Sequence, residues 1–267
     1  MEMIIRADDM GYTETCNDGA FMAIKEGCVT VASVMLDTEG AVDALARLKA
    51  CPWVSLDWSA KFWGKPVLEA ERVPDLIDDD GYFRRDLLQL SQINSQELEM
   101  ELEAEIRFCI LNYGKAPFSA QPSGSEAVDQ VRERVCQHYG VFYDYSGSGK
   151  KIISCGEEYR KTLNFENYES YDPLGMIKEA SAEEGSMQGK IPMITLQPGF
   201  LDDVVLRNTL EGPRSSISIQ RLKDVQVLCS RELNDWIKEA GIRLVNLRDV
   251  FYGTQDCQNY RKMISGC

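Results

Sequence analysis

The chain has 267 residues, 44% of them hydrophobic and 27% charged, enough to build a core without disulfide or metal staples. Its 43 acidic against 29 basic residues give a net charge of −14, which disfavours nucleic acid and anionic membrane surfaces as partners. A single histidine, His138, excludes histidine-rich metal sites and leaves little room for Ser-His-Asp or Cys-His catalysis.

Short β-branched runs alternate with amphipathic helical patterns, the signature of βα units around a parallel sheet. Met3–Ala7 is a strand that ends in Asp8 and Asp9, Asn17–Gly27 a helix, Val29–Leu36 a strand and Glu39–Lys49 a helix. Val54–Leu56 is a third strand, ending at Asp57, and residues 58–94 are irregular, as segments lining a substrate cleft are. Asn94–Tyr113 is the clearest helix, with a capping-box-like Asn94 and Glu97 at its start and Gly114 at its end. A second helix spans Glu126–Tyr139, and Val141–Tyr145 reads as a strand followed by a glycine-serine turn. Ile191–Leu196 is the last strong strand, two helical stretches flank Ser230, and Ile242–Leu247 closes the pattern. No repeat or linker interrupts residues 1–267, so one α/β domain is expected, barrel-like because no glycine-rich nucleotide turn follows the first strand.

The nine cysteines include no C-x-x-C pair, and most sit in apolar surroundings, which points to buried free thiols in a reducing compartment. Neither a signal peptide nor an apolar run of membrane-spanning length is present, so a cytoplasmic protein is expected. A homo-oligomer is compatible with this reading.

Ser146 to Lys151 resembles a phosphate loop but lacks its leading glycine and its Ser/Thr, and no G-x-S-x-G elbow occurs. His138 falls near a helix end, where a cation complements the dipole. What remains is a set of polar residues at the carboxyl ends of strands: Asp8, Asp9, Asp57 and Gln197. In βα barrels catalytic residues collect on that face. Two adjacent aspartates can divide labour, one holding a hard cation while the other takes a proton from bound water.

Ile4-Ile-Arg-Ala-Asp-Asp-Met-Gly11 resembles the opening motif of the YdjC/ChbG family of carbohydrate deacetylases, a strand followed by Ala-Asp-Asp-Phe-Gly. The likeness continues through Asn17-Asp-Gly19, Glu26-Gly-Cys-Val-Thr30, Gly64-Lys-Pro-Val67, Asp80-Gly-Tyr-Phe83 and Pro198-Gly199 to Gly241-Ile-Arg-Leu-Val245. The resemblance implies a distorted TIM-like (β/α) barrel that removes acetyl groups from N-acetylated sugars such as chitooligosaccharides. It further implies Asp8 as the base and Asp9 as a metal ligand. The family's remaining metal ligands and its leaving-group acid are histidines. Here they are replaced: Asp57 stands after strand three, Ser123 in the segment after Pro122, and Gln197 before Pro198-Gly199.

Asp9, Asp57 and Ser123 would form an oxygen-only site, suited to Mg²⁺ or another hard divalent cation held weakly, or to none. Gln197 can donate to an oxyanion but cannot deliver a proton to a leaving amine. Without a metal, Asp8 would face Asp9 and Asp57 unshielded, which should raise at least one carboxyl pKa. Trp58, Phe62 and Trp63 suit stacking on a sugar, with packing beneath the loop as the competing role. Ser123 also suits a helix start, and Arg221 suits pairing with a carboxylate. Two functions follow: an altered hydrolase acting on acetylated sugars, or a non-catalytic protein that binds a sugar or another partner in the old cleft.

Overall fold

The computed structural model describes residues 1–147, 149–155, 168–182, 189–206 and 217–253. Eight strands lie among them: β1 Glu2–Met10, β2 Val31–Met35, β3 Ser55–Ser59, β4 Ser119–Ala120, β5 Phe142–Tyr143, β6 Ile152–Cys155, β7 Ile191–Leu196 and β8 Arg243–Leu244. The helices are α1 Glu14–Lys25, α2 Ala41–Leu48, α3 Ser95–Tyr113, α4 Glu126–Tyr139, α5 Pro173–Ala182, α6 Ile217–Leu228, α7 Arg231–Glu239 and α8 Leu247–Tyr252.

All strand pairs are parallel, in the order β5-β4-β3-β2-β1-β7-β6, with β8 added beside the start of β1. A bridge between Ser146, just beyond β5, and Ile152 of β6 joins the two edges, so the sheet curls into the distorted barrel the sequence implies.

Side-chain alternation sorts β1 into two faces. Met3, Ile5 and Ala7 pack outward with the helices, whereas Ile4 meets Val31, Ile152, Ile191 and Met193 inside the curl. A parallel sheet covered on both faces needs apolar strands, and β2 and β7 are buried along their whole length. Above this apolar floor the inner positions turn polar: Arg6, Ser33, Asp57, Ser119 and Thr195, all buried. The sheet thus carries its polar residues toward the carboxyl ends of its strands, where the site lies.

Helix ends follow local chemistry. Asn94 accepts from the Glu97 amide at the start of α3, and Gly114, in the left-handed region with φ of 101°, ends it. Residues 58–94 hold two 3₁₀ turns, Ala70–Arg72 and Leu87–Gln89, and their amides are tied down by acidic side chains. The described cysteines are free thiols, five of them buried. No described helix is long and apolar enough to cross a membrane.

Candidate functional site

β1 is longer than Met3–Ala7, and both aspartates lie on it rather than after it. Consecutive strand residues ordinarily point to opposite faces. Here the register with β2 shifts between Ala7 and Met10, and Asp9 takes φ of 60°. The irregularity brings both carboxylates to one ammonium: Lys61 Nζ donates to Asp8 Oδ2 at 3.0 Å and also to Asp9 Oδ1. A non-glycine residue in the left-handed region carries strain, and such strain collects at functional sites.

Asp9 is buried and saturated. Its Oδ2 accepts from Gln197 Nε2 at 2.6 Å and from Arg221 Nη2 at 2.8 Å. Gln197 is held in turn by its backbone amide, which donates to Asp224 Oδ2 at 2.8 Å, while Tyr171 donates to Asp224 Oδ1 at 2.6 Å. Arg221, from α6, is therefore a support for Asp9 beneath the surface and does not face the cleft. Burial works against its charge, and Asp9 beside it more than compensates, holding the guanidinium above its usual range.

Asp57 lies within β3, completely buried. It pairs with Arg6 Nη2 at 3.1 Å and accepts from Ser119 Oγ at 2.6 Å. Burial pushes its carboxyl up, and Arg6 and Ser119 pull it back. The raised carboxyl expected from a metal-free acidic cluster is present at Asp57, but its first cause is desolvation rather than an unshielded neighbour. Arg6 also reaches Asp8 Oδ1 at 3.2 Å and Ser33 Oγ at 2.8 Å, so one guanidinium links three strands. Burial opposes its charge, but Tyr145, Asp8, Asp57 and Asp9 outweigh that and hold it protonated.

Ser123 turns away from these carboxylates into the start of α4. Its Oγ donates to Asp129 Oδ1 at 2.8 Å and accepts from the Ser125 amide at 3.2 Å, the turn-forming role that competed with ligation. The metal set Asp9, Asp57 and Ser123 is thus corrected: each member already has its partners. Among the described residues no three histidine, cysteine, aspartate or glutamate side chains converge to hold a metal. The donors present do not fit a divalent cation.

A cleft of about 450 Å³ opens beside this centre, lined by Arg6, Asp8, Lys61, Gln121, Ser123 and Ser146 among others. Trp58 does not offer a stacking face to it. Its ring is completely buried, Arg132 lies over it at 4.4 Å, and its Nε1 donates to Glu105 Oε2 at 2.7 Å. Phe62 is likewise buried, edge-on to Phe83 with centroids 5.0 Å apart. Trp63 is 42% exposed, edge-on to Tyr12 with centroids 5.4 Å apart, and Lys61 Nζ is 5.0 Å from its ring centre. Of the aromatic residues singled out in the sequence, Trp63 alone presents a broad exposed face.

Lys61, Arg6 and Arg132 escaped the sequence reading. Arg6 was legible by alternation, since two residues on a strand share a face and Asp8 follows Arg6 by two. Lys61 sits in the irregular segment, and only the folded loop brings it to Asp8 and Asp9. His138 is exposed at the end of α4 against Tyr139, remote from the site as its helix-end position implied.

Behind the site, Glu105 is buried with Trp58 as its hydrogen-bond partner. Burial pushes its carboxyl well above its ordinary value of 4.5, reinforced by Asp37 and Glu101. A carboxyl raised in the folded state favours folding most at low pH, and that contribution is lost as pH rises toward the folded value. Glu105→Gln is therefore expected to flatten the loss of stability above pH 4.5 and to melt higher than the parent at pH 8. Melting temperature against pH checks this, and an unchanged slope would sink it.

With this geometry in hand, the comparisons define the class. Residues 2–118 match the model of the family described as YdjC-like protein. The chain is 26% identical over 257 residues to a carbohydrate deacetylase of Brevibacillus brevis, covering 94% of this chain and 100% of that one. A carbohydrate deacetylase of Thermoanaerobacter pseudethanolicus is 26% identical over 262 residues, covering 91% and 97%. The crystal structure of an Enterococcus faecalis protein named for cellobiose-phosphate cleavage superposes with a TM-score of 0.69 at 22% identity, over 93% of this chain and 98% of that one. A peptidoglycan N-acetylglucosamine deacetylase superposes with a TM-score of 0.52 at 12% identity, over 96% and 90%. These two likenesses establish the fold. The chain is a relative of the YdjC-like proteins and is carbohydrate-deacetylase-like along nearly its whole length.

Proposed function

We propose that this protein binds a carbohydrate in the cleft beside Asp8 and does not hydrolyse it by a metal-dependent route. The observation that carries this reading is the pairing of both aspartates with Lys61. An ammonium neutralises carboxylates, but it has no open coordination position at which a water could be activated. Gln197 adds to the case, since an amide cannot supply a proton to a leaving amine, and here its Nε2 is engaged with Asp9. The cleft itself suits a polyhydroxylated ligand: carboxylate, ammonium, amide and hydroxyl groups line it, with the exposed face of Trp63 close to Lys61. The carbohydrate-deacetylase relatives support a sugar as the ligand class.

Calorimetry against a panel of N-acetylated and free oligosaccharides in EDTA tests the reading. Heat of binding is expected without divalent cations, and Trp63→Ala is expected to weaken it about tenfold, the scale of one aromatic contact. A panel that gives no heat at all would count against a sugar ligand. Acetate release that requires a divalent cation and disappears in Asp8→Asn would restore the hydrolase reading.

A further inference from the structure

We propose that the Lys61 ammonium is the resident cation of the Asp8–Asp9 pair, and that removing it converts the pair into a divalent-cation site. The inference concerns cation binding and folding, and stands or falls independently of whether a sugar enters the cleft.

The atoms are specific. Asp8 Oδ1 faces Arg6 Nη2 at 3.2 Å, and Asp9 Oδ2 accepts from Gln197 and Arg221. The other oxygen of each, Asp8 Oδ2 and Asp9 Oδ1, meets Lys61 Nζ. Two carboxylates brought together by a backbone irregularity repel unless a cation stands between them. The Asp9 side chain is completely buried and that of Asp8 is 13% exposed, so water screens the repulsion poorly.

Lys61 is delivered by a loop with few alternatives. The Gly64 amide donates to Asp37 Oδ2 at 2.8 Å, and the Val67 and Leu68 amides donate to the Glu101 carboxylate at 2.6 and 3.0 Å. Phe62 packs into the core beside it. The cation is therefore preorganised over the carboxylates rather than recruited from solvent, and a soluble ion would have to displace a tethered one.

With Lys61 shortened to alanine, Asp8 Oδ2 and Asp9 Oδ1 are left facing a place without positive charge. Two carboxylate oxygens with water in the remaining positions suit Mn²⁺ or Mg²⁺ rather than a metal that prefers nitrogen or sulfur.

The test compares the parent chain, Lys61→Ala, Lys61→Arg and Lys61→Ala/Asp8→Asn by melting temperature and by electron paramagnetic resonance titration with Mn²⁺. Lys61→Ala is expected to melt about 5–10 °C lower than the parent in EDTA and to regain much of that in Mn²⁺. It should bind one Mn²⁺ at least tenfold more tightly than the parent. Lys61→Arg should bind no more tightly than the parent, and Lys61→Ala/Asp8→Asn should fold without cation and lose the Mn²⁺ signal. A Lys61→Ala chain recovered only in Mn²⁺ buffer supports the proposal as well. Lys61→Ala that melts like the parent, binds Mn²⁺ no more tightly than the parent, or folds in neither condition overturns it.

Discussion

Arg6→Met is expected to lower the unfolding free energy by about 3–5 kcal/mol, the usual penalty for removing one partner of a buried ion pair. The reason lies in what stays behind. Asp57 has no exposed surface and would keep Ser119 as its remaining printed-distance donor, at 2.6 Å, while losing the guanidinium at 3.1 Å. Asp8 would lose a partner as well, and Ser33 its donor. Arg6→Met/Asp57→Asn removes the stranded charge and should recover more than half of the loss, because replacing both members of a buried pair is far less damaging than replacing one. Urea unfolding of the three chains measures both numbers. A single variant within about 1 kcal/mol of the parent would show that the interior pair does not hold the barrel together.

Gly64→Ala is the second large effect, at about 3 kcal/mol or more, with loss of the cleft's ammonium from its place. A Cβ at this position would overlap the Asp37 carbonyl oxygen, which is backbone and cannot swing aside. The loop can escape the overlap only by breaking the Gly64 amide bond to Asp37 Oδ2, the Lys65 amide bond to the Asp37 carbonyl at 2.9 Å, or both. Lys61, three residues earlier, would move with it. The variant should therefore lose stability and ligand binding together, whereas Trp63→Ala should lose binding with stability nearly unchanged. Chemical denaturation and calorimetry on the same preparations separate the two patterns.

The sequence made the frame of this site readable and left its cations hidden. The apolar start of β1 followed by two aspartates placed the acidic pair correctly at the carboxyl end of the sheet, and α3 and α4 were legible because helical periodicity and caps are local signals. The strands β4 and β6 were not. Ser119–Ala120 is two residues long and Ile152–Cys155 four, and neither carries enough alternation to stand out from its surroundings. The same limit hid the chemistry. A metal set built from substituted histidine positions assumed that the residues now there point at the old centre. Instead Asp57 finds Arg6, Ser123 finds Asp129, and Asp9 finds Lys61, Gln197 and Arg221. Arg6 was within reach of strand alternation. Lys61 was not, because its pairing depends on a loop whose position is set by Asp37 and Glu101, residues distant in the chain. Trp58 misled for a related reason: it follows Asp57 on β3, and neighbours on a strand face opposite sides, so a ring beside an inward carboxylate belongs to the outer core.

The account rests on the carboxylates of β1 being neutralised by the chain's own cations. Calorimetric titration of the EDTA-treated parent protein with Mn²⁺, Mg²⁺ and Zn²⁺ addresses that directly. Heats no larger than dilution are expected for all three, because Asp8 and Asp9 already hold Lys61. A one-to-one binding heat that vanishes in Asp9→Asn would contradict the account and return the site to metal-dependent hydrolysis.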